Sequence, residues 1–361
     1  MAQIIGSPSK YIQGNGELAR LYQHIEPMAK TGVYIVASPS ALANYADTIE
    51  NNFKGQKLPL HIYRFGGECS KNEIECILND MKGKNIDLVV GIGGGKAMDT
   101  AKAVAYYAGF PVVICPSIAS SDAPCSALSV LYTDDGLFDQ YLPLPQNPAV
   151  VLVDTNIVAN APVRFLVSGI GDALATYFEA RACIRSSAIH MQGGTATNAA
   201  FTLSKRCYEI LLEDGYKAKL AVEQNVVTKS VENIIEANTY LSGLGFESCG
   251  LAAAHALHNG LTALEETHTF THGEKVAFGT LVQLVLENAP AHELDTVLVL
   301  CKKLGLPTCL EDLGIKNPDR ERLMAVARLA CAEGDTMANM PFTVTPDDVL
   351  AAILATDSYG K

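Results

Sequence analysis

The chain has 361 residues, 48% of them hydrophobic and 18% charged, and a formal net charge of −12. That apolar content supplies substantial cores and excludes a disordered chain, and the length suits two domains. The acidic balance repels phosphate backbones and anionic lipid, so neither nucleic acid nor a membrane is expected as a partner.

The N-terminal segment Met1–Lys10 lacks the basic head and apolar run of a secretory signal. None of the ten cysteines falls in a CxxC pair. Reduced thiols in a cytoplasmic protein are therefore expected, with neither a disulfide framework nor a cysteine zinc site.

Short β-rich runs alternate with helical stretches through the first half. Residues 33–36 (VYIV) predict a strand, followed by a polar helix from Ala41. Residues 61–65 (HIYRF) predict a second strand and residues 73–81 a helix. Residues 86–92 (IDLVVGI) form the strongest strand signal, with a helix over 98–107 behind it. Residues 111–115 (PVVIC) and 149–153 (AVVLV) complete the series. This rhythm predicts an α/β N-terminal domain with a parallel, Rossmann-like sheet covered by helices. After Pro162 strand signals become scarce and long apolar helical stretches recur, as in 171–182 and 281–286. The expected division is an α/β domain over 1–161 and an all-α domain over 162–361, with the active site in the cleft between them.

Gly91-Ile92-Gly93-Gly94-Gly95-Lys96 lies between a predicted strand and a predicted helix. Glycines there let the backbone approach a pyrophosphate, the helix N-terminus points N–H groups at it, and Lys96 adds a full charge. A GxGxxG fingerprint would need glycine at Lys96, and a Walker A loop would need Ser or Thr at Ala97. A nucleotide or dinucleotide is expected, and ATP hydrolysis is not. A tight turn without a ligand is the plainer alternative.

Four of the eight histidines fall within residues 255–272: His255, His258, His268 and His272. His255 and His258 are spaced to share a helix face, in an alanine-rich segment that lets another element come close. Asp172, in Ser168-Gly169-Ile170-Gly171-Asp172, stands at the predicted start of an apolar helix, where a simple N-cap is the competing role. An Asp/His/His set would leave a fourth zinc position for water or substrate.

GIGGGK, SDAPCSALSV, GIGDALATYFEARAC, EANTYLSG, GFESCGLAAAHALHNGLTA and HGEKVAFGTLVQL occur in that order along the chain. Together they resemble the glycerol dehydrogenase branch of the iron-containing, or group III, alcohol dehydrogenase superfamily. The likeness runs from Ile4 nearly to the C-terminus. It implies a metal held by Asp172, His255 and His272, with His258 beside the metal rather than on it. Iron-binding relatives carry an additional His where this chain has Thr176, so the resemblance implies zinc. For the cofactor, NAD, it implies Gly94, Gly95 and Lys96 at the pyrophosphate. Ser117, Ile118, Ala119, Ser120, Ser126, Leu128 and Tyr132 would line the groove. Asp122 would accept a hydrogen bond from a substrate hydroxyl, Phe246 would wall the pocket, and His255 would also touch substrate.

The family usually places an aspartate at the end of the first strand, on the adenosine ribose, where this chain has Ser38. Serine does not repel the 2′-phosphate of NADP, but no Arg or Lys lies in residues 36–53 to clamp one, so NAD is favoured. The resemblance implies NAD-dependent oxidation of glycerol to dihydroxyacetone, a small polyol as partner, and a homo-oligomer, often an octamer. Alternatives within the superfamily are a dehydrogenase of hydroxy acids or glycerol 1-phosphate and a lyase of the dehydroquinate-synthase type. Their anionic substrates call for Arg or Lys where the SDAPCS loop offers Asp122. A non-catalytic NAD-binding protein would tolerate a damaged ligand set, whereas all three metal positions hold ligand types.

Overall fold

A computed structural model describes residues 1–361. Its first half contains strands β1 (Lys10–Gly14), β2 (Val33–Ala37), β3 (Leu60–Arg64), β4 (Leu88–Gly93), β5 (Val112–Pro116), β6 (Leu128–Tyr132), β7 (Phe138–Pro143) and β8 (Val150–Asp154). Between and after them come helices α1 (Leu21–Ile25), α2 (Pro39–Phe53), α3 (Lys71–Met81), α4 (Gly95–Ala108) and α5 (Thr155–Ala159). The second half holds α6 (Val163–Ser186), α7 (Asn198–Val222), α8 (Lys229–Glu236), α9 (Ser242–Cys249) and α10 (Ala253–Leu261). These are followed by α11 (His272–Leu286), α12 (Ala291–Leu304), α13 (Arg320–Ala330) and α14 (Pro346–Gly360).

Six strands form one sheet in the order β1-β8-β5-β4-β2-β3, and every adjacent pair is parallel. β2, β4, β5 and β8 are buried throughout, which is why their sequences read as continuous apolar runs. On one face Val33, Ile35, Leu88, Val90 and Val113 pack with α1 and α2. On the other, Tyr34, Val36, Val89 and Ile114 join one apolar cluster with α3, α4, α6, α7 and α12. A separate cluster unites α10, α11, α13 and α14. No helix is long and apolar enough to cross a membrane.

Three strands were not foreseen. β1 (KYIQG) is mostly polar and joins the sheet edge by pairing with β8. β6 and β7 form a separate antiparallel hairpin, and β7 is largely exposed, so it carries no burial pattern to read. All ten cysteines are free, and only Cys76 is exposed.

Candidate active site

The chain runs outward from β2 to β3 in one direction and from β4 to β5 in the other, so the strand order reverses between β2 and β4. α2, leaving β2, packs on one face of the sheet and α4, leaving β4, on the other. A crevice at such a reversal, outside the carboxyl ends of parallel strands, is where this architecture binds dinucleotides. Ser38 and Gly93 to Lys96 meet there. Gly94 is the N-cap of α4, and a Cβ on Gly95 would project into open space, so the first turn presents bare backbone. Gly93 has φ of +155° and abuts Ser38, a close approach that a side chain would block. Ser38 caps α2 by accepting the Ala41 N–H at 3.2 Å.

Lys96 does not stand alone. Its ammonium donates to Glu68 Oε2 at 2.7 Å and lies 5.0 Å from the Tyr132 ring centre. Glu68, which sequence reasoning missed, would sit as a like charge beside a pyrophosphate. Glu68→Gln is therefore expected to lower the KM for NAD a few-fold, on the scale of one partly exposed ion pair of about 0.2–1 kcal/mol. Initial rates at varied NAD check it, and an unchanged or raised KM contradicts it.

The loop after β5 carries Ser117, Ile118, Ala119, Ser120 and Asp122 from the sheet to the helical half. Ser168 Oγ donates to the Ser120 carbonyl at 3.1 Å. Asn238, from a single π-helical turn (Ala237–Leu241) between α8 and α9, donates to the Ala119 carbonyl at 3.0 Å and to that of Leu166 at 3.1 Å. π turns of this kind concentrate at functional sites. Farther along, Glu247 accepts the Ala127 N–H at 2.7 Å. Ser126 is buried, with its hydroxyl bonded to the Ala123 carbonyl and Lys102, while Leu128 and Tyr132 lie on the half-buried strand β6.

Asp172 sits in the third turn of α6, not at its start, because Ser168, Gly169, Ile170 and Gly171 are themselves helical. Glycine disfavours a helix interior by about 1 kcal/mol, and packing accounts for its presence here. A Cβ on Gly169 would strike the Ala119 carbonyl, one on Gly171 the Gly273 carbonyl, and one on Gly273 the Ser168 carbonyl. The glycines let the Asp122 loop and the start of α11, which bears His272, close on Asp172 from two sides.

Asp172, His255 and His272 offer ligand atoms that all lie within 4.8 Å of one another. Asp172 Oδ1 is 3.0 Å from His272 Nε2 and 3.4 Å from His255 Nε2. That oxygen is buried yet makes no hydrogen bond, so three lone-pair donors converge without satisfying one another. Asp122, Asp172 and Glu179 are all buried, and none pairs with Lys or Arg. This donor chemistry fits a divalent cation with an open position.

The surroundings define each group. Asp172 Oδ2 accepts the Asp122 N–H at 3.2 Å. Burial pushes the Asp122 carboxyl well up and Asp172 adds to this, while Ser242 donates to Asp122 Oδ2 at 3.1 Å. Thr176 is hydrogen-bonded to Ser242 at 2.8 Å and through it braces Asp122. Phe246 is buried one turn beyond Ser242 on α9.

Glu179, also missed, lies two turns after Asp172 on α6. Its Oε2 is 2.6 Å from His255 Nδ1, and its Oε1 accepts the Ala252 and His255 N–H groups at 2.8 and 3.0 Å. A carboxylate on the far nitrogen of a ligating histidine fixes its tautomer and raises its basicity. His258 lies beside His272, its Nε2 3.1 Å from His272 Nδ1. Burial drives the His258 pKa well below the ordinary value, and neighbouring His272 adds to this. His268 lies apart, bonded to the Thr262 carbonyl.

A model of the iron-containing alcohol dehydrogenase family matches residues 8–155. Over 361 residues the chain is 55% identical to a glycerol dehydrogenase of Escherichia coli O6:H1, covering 100% of this chain and 98% of that protein. The chain belongs to the iron-containing alcohol dehydrogenase family. Among solved structures of the family, glycerol dehydrogenase from Schizosaccharomyces pombe superposes with a TM-score of 0.96 at 40% identity, covering 99% of this chain and 91% of that one. A probable glycerol dehydrogenase from Sinorhizobium meliloti 1021 gives 0.93 at 46% identity, with 99% of both chains covered. The family resemblance seen in the sequence motifs thus holds for the whole fold.

Proposed function

We propose that this protein oxidises glycerol to dihydroxyacetone with NAD as the hydride acceptor and a zinc ion held by Asp172, His255 and His272. The observation that carries the reading is the convergence of those three donors, Asp172 and His255 buried and His272 opening outward, beside Asp122, in a chain similar from end to end to glycerol dehydrogenases. Zinc is favoured over iron because Thr176 is engaged by Ser242 and supplies no additional ligand. A neutral polyol is favoured over an anionic substrate because the site groups three buried carboxyls with no Lys or Arg paired to them.

When bound, the metal lowers the pKa of a substrate hydroxyl as a Lewis acid and the nicotinamide takes the hydride. The chain's own residues do the rest. Asp122, steadied by Ser242 and by its N–H on Asp172, accepts a hydrogen bond from a free substrate hydroxyl and so selects a diol over a simple alcohol. Phe246 walls the pocket. Gly94, Gly95 and Lys96 receive the pyrophosphate, with the residues after β5 and along β6 forming the groove. Residues 1–161 act as the dinucleotide-binding domain and 162–361 as the metal-binding domain, the reaction taking place in the cleft between them. The reading extends to a cytoplasmic homo-oligomer, supported by the free thiols and by the family resemblance.

Purified protein given glycerol and NAD is expected to form NADH, to stop on EDTA and to resume when zinc is added. A parallel assay with NADP measures what Ser38 permits. Zinc-loaded protein that binds NAD yet turns over neither glycerol nor 1,2-propanediol contradicts the proposal.

A further inference from the structure

A hydrogen-bonded chain leads away from His272. Its Nδ1 is 3.1 Å from His258 Nε2, and His258 Nδ1 is 3.1 Å from Asn259 Oδ1. Asn259 Nδ2 in turn donates to Asp335 Oδ2 at 3.1 Å. Asp335 precedes the short 3-10 turn Thr336–Asn339, and its other oxygen accepts the Thr336 N–H at 2.6 Å.

We infer that Asp335 and Asn259 are positioning residues that dictate which nitrogen of His272 carries a proton, keeping Nε2 bare for the metal. This rests on the zinc reading above. The polarity follows from the end of the chain. An ionised carboxylate only accepts, so Asn259 must turn its amide nitrogen to Asp335 and its oxygen to His258. His258 Nδ1 must then bear the hydrogen, and Nε2 is left as an acceptor. His272 therefore donates from Nδ1, and its lone pair lies on Nε2, 3.0 Å from Asp172 Oδ1. Two acceptors at that distance repel unless a cation joins them, and only the neutral imidazole can be a ligand. His255 obtains the same tautomer directly from Glu179. His272 has no carboxylate on its Nδ1 and obtains it through two intermediaries.

The sequence gives no hint of this link, because Asp335 lies 76 positions beyond Asn259. Its chemistry nevertheless allows a sharp test. Asp335→Asn keeps an oxygen for the Thr336 N–H, since Asn and Asp cap equally well. Its amide nitrogen then faces that of Asn259. Two donors cannot pair, so Asn259 flips, His258 changes tautomer, and a proton is driven onto His272 Nε2. Adding Asn259→Asp restores an acceptor between His258 and residue 335, and with it the original polarity.

Zinc affinity is measured by competition with a chromophoric chelator for the wild type, Asp335→Asn, and the swap Asn259→Asp with Asp335→Asn. Cobalt(II) absorption reports the ligand geometry, and thermal unfolding of the metal-free proteins reports the fold. Asp335→Asn is expected to bind zinc about 10–100-fold more weakly, and the swap to regain most of that loss with a wild-type cobalt spectrum. Undiminished affinity in Asp335→Asn overturns the inference while leaving the zinc site intact, as does a swap no better than the single variant. A wild type that binds no zinc overturns the zinc reading itself, and the inference with it. A metal-free Asp335→Asn protein that has lost its cooperative transition, not regained by the swap, assigns Asp335 to folding and likewise overturns the inference.

Discussion

Asp172→Asn is expected to cut glycerol turnover about 10³-fold, on the basis that Lewis-acid stabilisation supplies several kcal/mol and each 1.36 kcal/mol is a factor of ten. The change is isosteric but removes the charge on which the site is organised. Asp172 Oδ1 lies between the two Nε2 atoms, and Oδ2 holds the Asp122 N–H. Asparagine offers a weaker oxygen ligand and brings an amide nitrogen that repels any cation it faces. The metal content of the variant after dialysis against stoichiometric zinc, measured beside its turnover, checks the expectation. Wild-type metal content with wild-type turnover would remove Asp172 from the ligand set. Full metal content with lost turnover would assign Asp172 to holding Asp122 instead.

The same carboxylate shows what the sequence made legible and what it did not. Asp172, His255 and His272 each stand in a motif long enough to be read locally, and so do the glycines that let their segments converge. The parallel sheet was equally legible, because strands buried on both faces write continuous apolar runs such as LVVGIG in β4. Residues that act on the proposed metal ligands are another matter. Glu179 could have been noticed, since it lies seven residues after Asp172 and therefore on the same helix face, but a glutamate in a long helix is ordinarily a solvated one. Asp335 stands in none of the motifs, and Asn238 and Glu247, which do stand in EANTYLSG and GFESCGLAAAHALHNGLTA, show nothing there of what they touch. Their roles exist only through contacts spanning from 72 to 120 positions, which no periodicity encodes. The placement of Asp172 at a helix start failed for a related reason. Local propensity treats Gly169 and Gly171 as breakers, whereas their function is to admit the backbones of other elements.

The buried pair Asp99–Lys102 gives the second large expectation. Lys102→Met should lower stability by about 3–5 kcal/mol, the cost of leaving a buried partner charge unpaired. Lys102 is fully buried on α4. Its ammonium donates to the Ala123 carbonyl at 2.6 Å, the Leu128 carbonyl at 2.9 Å, Asp99 Oδ1 at 3.2 Å and Ser126 Oγ at 3.3 Å. Asp99 Oδ2 accepts the Val130 N–H at 3.1 Å. The pair therefore clamps residues 123–130, the segment directly after Asp122, to the helix that begins at the glycine loop. Burial pushes the Asp99 carboxyl up and Lys102 pulls it back, so removing the lysine favours a protonated Asp99.

Stability and positioning are separable here. Adding Asp99→Asn to Lys102→Met removes the orphaned charge and is expected to recover a large part of the lost stability. It does not restore a donor to the Ala123 and Leu128 carbonyls, so Asp122 remains poorly held. Turnover in the double variant is therefore expected to stay about 10²-fold low, the scale of a displacement near 1 Å at a reacting centre. Denaturant unfolding and steady-state rates on both variants decide the matter. Recovery of turnover together with stability would mean that the clamp serves the fold alone. Recovery of stability without turnover would show that the cofactor helix and the Asp122 carboxylate are held in register by a single buried ammonium.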